Sequence, residues 1–117
     1  METVYTIKPL KGYNAFQDAF NLGKTKNSAK ATITLVFGDS DSISLGVGIS
    51  KKRAKKAVVR NRVKRLLRES IRKLNSEFSL PKNIKTITVF WKIAPKHPME
   101  IRLNEVLSEL RLLISKY

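Results

Sequence analysis

Twelve of the chain's 24 Lys and Arg residues lie between positions 51 and 75, in KKRAKKAVVRNRVKRLLRESIRKLN, with Glu69 the one acid among them. At 100° per residue, Val59, Val63, Leu66, Leu67, Ser70, Ile71, Leu74 and Phe78 share an apolar stripe of roughly 140°. A helix is therefore predicted, beginning at Lys55 or Lys56 and fading near Phe78, with that stripe turned to a core. Opposite it, Asn61, Arg65, Arg68 and Arg72 form a narrow row, flanked by Arg62 and Lys73 on one side and Lys64 on the other. Arg60 falls at the edge of the stripe and is expected to lean toward a neighbouring sheet. A helix packed on one side and studded with guanidinium groups on the other suits phosphate, whose oxygens match the planar Arg fork. Crowded like charges destabilise such a face unless an anion offsets them. A polyanion is the partner this implies; a solvated cationic face and a helix for membrane surfaces or calmodulin-like targets are the alternatives.

At 117 residues the chain is expected to be one domain, 1–117, and its formal charge of +15 points to a phosphate polymer bound in a salt-dependent way. With no cysteine, disulfides, zinc knuckles and thiol nucleophiles are excluded. No apolar segment after Met1 reads as a signal, and no apolar run is long enough to span a bilayer, so a cytoplasmic location without membrane contact is expected.

Taken in order, residues 1–12 show no periodicity, and Pro9 and Gly12 suggest an extended entry. Tyr13, Phe16 and Phe20 recur at helical spacing, with Gly23 as a stop. The polar segment KTKNSAK reads as a turn or frayed strand. Residues 31–38 alternate, with Ile33, Leu35 and Phe37 on one face and Thr32, Thr34 and Val36 on the other. After the turn GDSDS, Ile43, Leu45, Val47 and Ile49 are expected inward. Gly46 and Gly48 on the other face call for something close to the backbone, either a helix or a ligand. Residues 85–93 form the next strand, with Ile87, Val89, Trp91 and Ile93 on one face and Thr86, Thr88, Phe90 and Lys92 on the other. Leu103, Val106, Leu107, Leu110, Ile114 and Tyr117 make a terminal amphipathic helix. The class is α+β, a small two-layer α/β sandwich in the order α-β-β-α-β-α, with a place for one more short strand before Ala31.

No catalytic constellation is present. His97 sits alone between Lys96 and Pro98, and Asp39 and Asp41 read as turn residues that cap or solvate the loop, so neither acid–base nor two-metal hydrolysis is expected of the chain itself.

Lys51-Lys52, Ala57, and then Arg60-Asn61-Arg62-Val-Lys64-Arg65-Leu-Leu-Arg68-Glu69 with Arg72 resemble the RNR motif of the protein subunit of bacterial ribonuclease P. The likeness runs back through Leu45-Gly46-Val47 to the helix with Phe16, Phe20 and Gly23, and so spans nearly all of the chain. It implies a left-handed βαβ crossover through the basic helix and a protein subunit that is inactive alone. Catalysis would belong to an RNA subunit holding Mg²⁺, which removes the 5′ leader of precursor tRNA. It implies RNA contact by Lys52, Arg53, Lys56, Arg60, Asn61, Arg62, Lys64, Arg65, Arg68 and Arg72. It further implies a leader-binding cleft of Phe16, Phe20, Thr34, Phe90 and Lys92, with no metal ligand on the protein. The implied partners are ribonuclease P RNA and precursor tRNA, with no protein partner required. A structural RNA-binding protein of the ribosomal type shares the charge and size and is the alternative, as is an interaction helix on an unrelated domain.

Overall fold

The computed structural model describes residues 5–50 and 52–117, with Tyr13 in its backbone alone. Lys51 of the basic stretch, the Tyr13 side chain of the expected aromatic edge and residues 1–4 of the expected extended entry therefore lie outside what is described.

The elements are β1 (Thr6–Pro9), α1 (Tyr13–Leu22), β2 (Lys24–Asn27), β3 (Ala31–Phe37), β4 (Ser42–Ile49), α2 (Ala57–Ser76), β5 (Ile84–Trp91) and α3 (Leu103–Ile114), with a 3₁₀ turn at Pro98–Glu100 before α3. The α+β class and the expected order hold, and the further strand before Ala31 is β2. One element was not anticipated. The five-stranded sheet runs β1-β4-β5-β3-β2, and β1 forms its edge by parallel pairing with β4, from Thr6↔Ser42 to Pro9↔Leu45. Pro9 is tolerated because an edge strand needs only one side of its backbone hydrogen-bonded.

β4 and β5 are parallel neighbours joined through α2, while β5 and β3, and β3 and β2, are antiparallel. Side chains alternate across the sheet. Ile33, Leu35, Ile43, Leu45, Ile87, Val89 and Trp91 turn to one face and join the stripe of α2 and the apolar side of α3 in one core. Val59, Val63, Leu66, Leu67, Ser70, Ile71 and Leu74 are all buried, as the periodicity requires; Ser70 is accommodated because its Oγ donates to Leu66 O at 2.8 Å. α1 packs across the other face, near β3 and β5.

Phe78 departs from the stripe. The helix stops at Ser76 because the next turn closes with Phe78 N–H on Asn75 O and Ser79 N–H on Leu74 O, the paired bonds of a Schellman ending. Phe78 takes the left-handed position at φ 57° and is 46% exposed. Ile93, beyond the end of β5, is likewise exposed. Tyr117 lies past α3; its hydroxyl reaches Lys24 O at 2.6 Å and Ile33 O at 3.0 Å, fastening the end of the chain to β2 and β3. Burial pushes that hydroxyl up from 10.0 to about 12.

Candidate nucleic-acid interface

β4 and β5 run parallel, so their carboxyl ends emerge at the same end of the sheet, and β4 continues there into the loop 50–56 and the start of α2. Lys52, Arg53, Lys55 and Lys56 are exposed on that loop. The acidic turn with Asp39 and Asp41 precedes β4 and so stands at the far end. Within it, Ser40 does the capping: its Oγ donates to Ser42 O at 2.8 Å and accepts from Ser42 N–H at 3.3 Å. Both Asp residues are exposed.

Along α2, Asn61, Arg65, Arg68, Arg72 and Lys73 are exposed and Lys64 is partly so, as the helical arithmetic requires. Arg65 shares its charge with Glu69 one turn on, Nε to Oε1 3.0 Å. Arg68 and Arg72 border a small cleft of about 130 Å³ together with Ile7, Lys8, Pro9 and Leu45, so the missed strand β1 supplies one wall and a further Lys beside the arginine row.

Two arginines behave differently from expectation. Arg60 does not reach the sheet; its Nη1 turns back to Ala54 O at 2.8 Å and Lys55 O at 2.7 Å, carbonyls that precede the helix. The bridge to the sheet is made by Arg53, whose Nη1 donates to Lys92 O just past β5. Arg62 is partly buried, with Nη2 3.4 Å from Ile101 O and Nε buried without a hydrogen-bond partner.

On the opposite face of the sheet, a groove of about 620 Å³ is lined by Phe16, Gln17, Phe20, Val47 and Phe90. Phe16 and Phe90 meet with ring centroids 6.0 Å apart at 58°. The two glycines are explained: a Cβ on Gly46 would stand 2.4 Å from Phe16 Cε1, and one on Gly48 2.8 Å from Phe90 Cε1. One is covered by the helix and the other by a ring from the neighbouring strand. Val47 between them is partly buried, packs against the core and also borders the groove.

Thr34 and Lys92 do not line the groove. Thr34 is 1% exposed: its methyl lies under Gly23 at the end of α1, where a Cβ would approach Cγ2 to 2.4 Å, and its Oγ1 pairs with Thr25 Oγ1 at 2.9 Å. Alternation had put Thr34 on the correct face without showing that α1 ends above it. Lys92 is drawn away because its Nζ donates to Ser28 O at 2.8 Å in the turn between β2 and β3. Gln17 and Val47 are groove residues that sequence reasoning missed; Gln17 follows Phe16 on the helix, and Val47 lies between the two glycines.

Among the described residues no group of three or more His, Cys, Asp or Glu side chains is placed to hold a metal ion. His97 instead caps the 3₁₀ turn, Nδ1 accepting from Met99 N–H at 3.3 Å. No helix among them is long and apolar enough to cross a membrane.

These features define a small, strongly basic α+β protein with a cationic helix on one face of its sheet and an aromatic groove on the other. A family model described as Ribonuclease P matches residues 7–117, and the chain belongs to that family. The ribonuclease P protein component of Pseudoalteromonas atlantica is 40% identical over 74 residues, 63% of this chain and 59% of the relative, so the match spans about three fifths of that protein's length. The component from Bacillus cereus is 34% identical over 102 residues, 86% of this chain and 83% of the relative. The RNase P protein of Thermotoga maritima shares the fold, with a TM-score of 0.73 at 24% identity over 94% of this chain and 97% of that one.

Proposed function

We propose that this protein component serves in a ribonuclease P ribonucleoprotein by binding the catalytic RNA through the basic helix and its preceding loop, and the 5′ leader of precursor tRNA through the aromatic groove. The observation that carries the reading is that Val47 and Phe90 of the groove lie within two residues of the carboxyl ends of β4 and β5, and β4 runs on into the loop with Lys52, Arg53 and Lys56. Phe16, Phe20 and Phe90 offer π-faces on which any base stacks, which suits a leader of variable sequence. Lys52, Lys56, Asn61, Lys64, Arg68 and Arg72 contact phosphate, with Arg65 contributing through a shared Glu69.

Hydrolysis is assigned to the RNA subunit and its Mg²⁺. On this reading the chain binds and positions RNA, and the protein alone is expected to be inactive. The test is reconstitution. Purified protein added to a bacterial ribonuclease P RNA at low Mg²⁺ should restore cleavage of precursor tRNA at the mature 5′ end, while rigorously RNA-free protein cleaves nothing. Absence of stimulation, or cleavage without RNA, would overturn the assignment.

A further inference from the structure

The cationic side chains of the motif divide into two kinds. Among the described residues, Lys52, Lys56, Lys64, Arg68 and Arg72 have no side-chain hydrogen bond or ion pair within the chain, whereas Arg65 pairs with Glu69 and the guanidinium groups of Arg53, Arg60 and Arg62 donate to main-chain carbonyls. Arg53 itself and the two carbonyls that Arg60 holds, of Ala54 and Lys55, belong to the loop between β4 and α2. It is folded on itself as well: Arg53 N–H and Ala54 N–H both donate to Ser50 O, at 3.1 and 2.9 Å, and Lys52 N–H donates to Ser50 Oγ at 3.1 Å. Ala54 is 4% exposed and belongs to the core, so the loop has one buried anchor. Arg60 holds the two carbonyls at its helix end and Arg53 ties it to the end of β5.

We infer that Arg60 is a positioning residue for the RNA-binding surface. Its guanidinium fixes the loop so that Lys52, Lys55 and Lys56 are presented as one set of charges at the carboxyl end of β4. The physical reason is entropic. A loop lysine free to wander gives up its mobility on binding, whereas a loop already held by charge-assisted bonds has less to lose. Arg60 is suited to the task where Lys is not, since Nη1 alone supplies two hydrogens in a fixed plane for two adjacent carbonyls. This rests on the proposed role of the loop in RNA binding, and deepens it by separating the residues that touch phosphate from one that aims them.

The experiment has one arm without RNA and one with it. In the free protein, Arg60→Met should make the Arg53 and Ala54 amides exchange about tenfold faster, the amides of the β-sheet remaining unchanged. With ribonuclease P RNA as the probe, Arg60→Met should weaken binding about tenfold in the otherwise native protein, and less than about twofold in a background carrying Lys52→Gln, Lys55→Gln and Lys56→Gln, because positioning has no effect once the positioned charges are gone. Equal losses in both backgrounds would show that Arg60 contacts RNA on its own account, and unchanged exchange at Arg53 and Ala54 would show that it does not hold the loop; either overturns the inference. Should Arg60→Met lower the melting temperature, Arg60→Gln takes its place in both arms. If the native protein does not bind the RNA, the functional proposal falls while the exchange arm still decides what Arg60 does to the loop.

Discussion

Phe20→Ala separates a groove from a core. Phe20 is 53% exposed and lines the groove on the α1 side. Complete burial of such a side chain is worth about 1.5–3 kcal/mol, so with half its surface already in water truncation should cost about 1 kcal/mol, against about 3–5 kcal/mol for a core phenylalanine. The melting temperature should therefore fall by only about 3–6 °C. If Phe20 stacks on one leader base, affinity for precursor tRNA should drop by about 1–3 kcal/mol, or roughly 5- to 150-fold. Mature tRNA, which has no leader to stack, should bind as before. Thermal melts and binding titrations with both RNAs, at one fixed salt concentration, give the three numbers. A large stability loss with equal losses on both RNAs would refute the groove. Phe16→Ala serves as the internal contrast, because that ring is partly buried over Gly46 and its removal should cost more stability than Phe20→Ala.

Arg68→Ala with Arg72→Ala should leave the melting temperature nearly unchanged, since both are exposed, and lower the slope of log affinity for ribonuclease P RNA against log salt by about 1.4–1.8 for two contacts; an unchanged slope would remove the row from the interface. Asn75→Ala should destabilise the fold by about 1–3 kcal/mol in urea unfolding, because Asn75 accepts from Tyr5 N–H at 2.9 Å and donates to Tyr5 O at 2.7 Å; a loss within error would mean that this clamp on the segment leading into β1 is idle. Tyr117 has a hydroxyl raised from 10.0 to about 12 by burial. The folded state thus holds this proton more tightly, and the associated stability is complete below pH 10 and lost as pH rises toward 12. Tyr117→Phe should be less stable than the native protein at pH 8 and close that gap by pH 12; a gap independent of pH would contradict the burial.

How far the sequence could be read depended on the range of the interaction. The stripe of α2 was legible because every residue from Val59 to Leu74 repeats one local angle, and all of those named are buried. The same angle failed at Phe78, where the helix had already ended: the Schellman closure comes without the glycine that usually announces it, and Pro81, the visible break, lies beyond. β1 was invisible because its evidence lies in β4, more than thirty residues away, and in Asn75, which the apolar stripe gave no reason to single out. Arg60 shows a further limit. Helical geometry located it at the edge of the stripe, yet the carbonyls it meets belong to a loop whose path no periodicity describes.

The glycine face of β4 left the choice between helix and ligand undecided, and its resolution accounts for the groove. Phe16 of α1 lies so close over Gly46 that no Cβ fits beneath it, while Phe90 occupies the space above Gly48 from the adjoining strand. The two rings are thereby brought within 6.0 Å of each other, and Phe20, one turn past Phe16, is left half in solvent along the same wall. A larger residue at either glycine would push a ring outward and fill the groove. Each of the two positions thus accepts a ring of the protein, and the rings they accept line the groove.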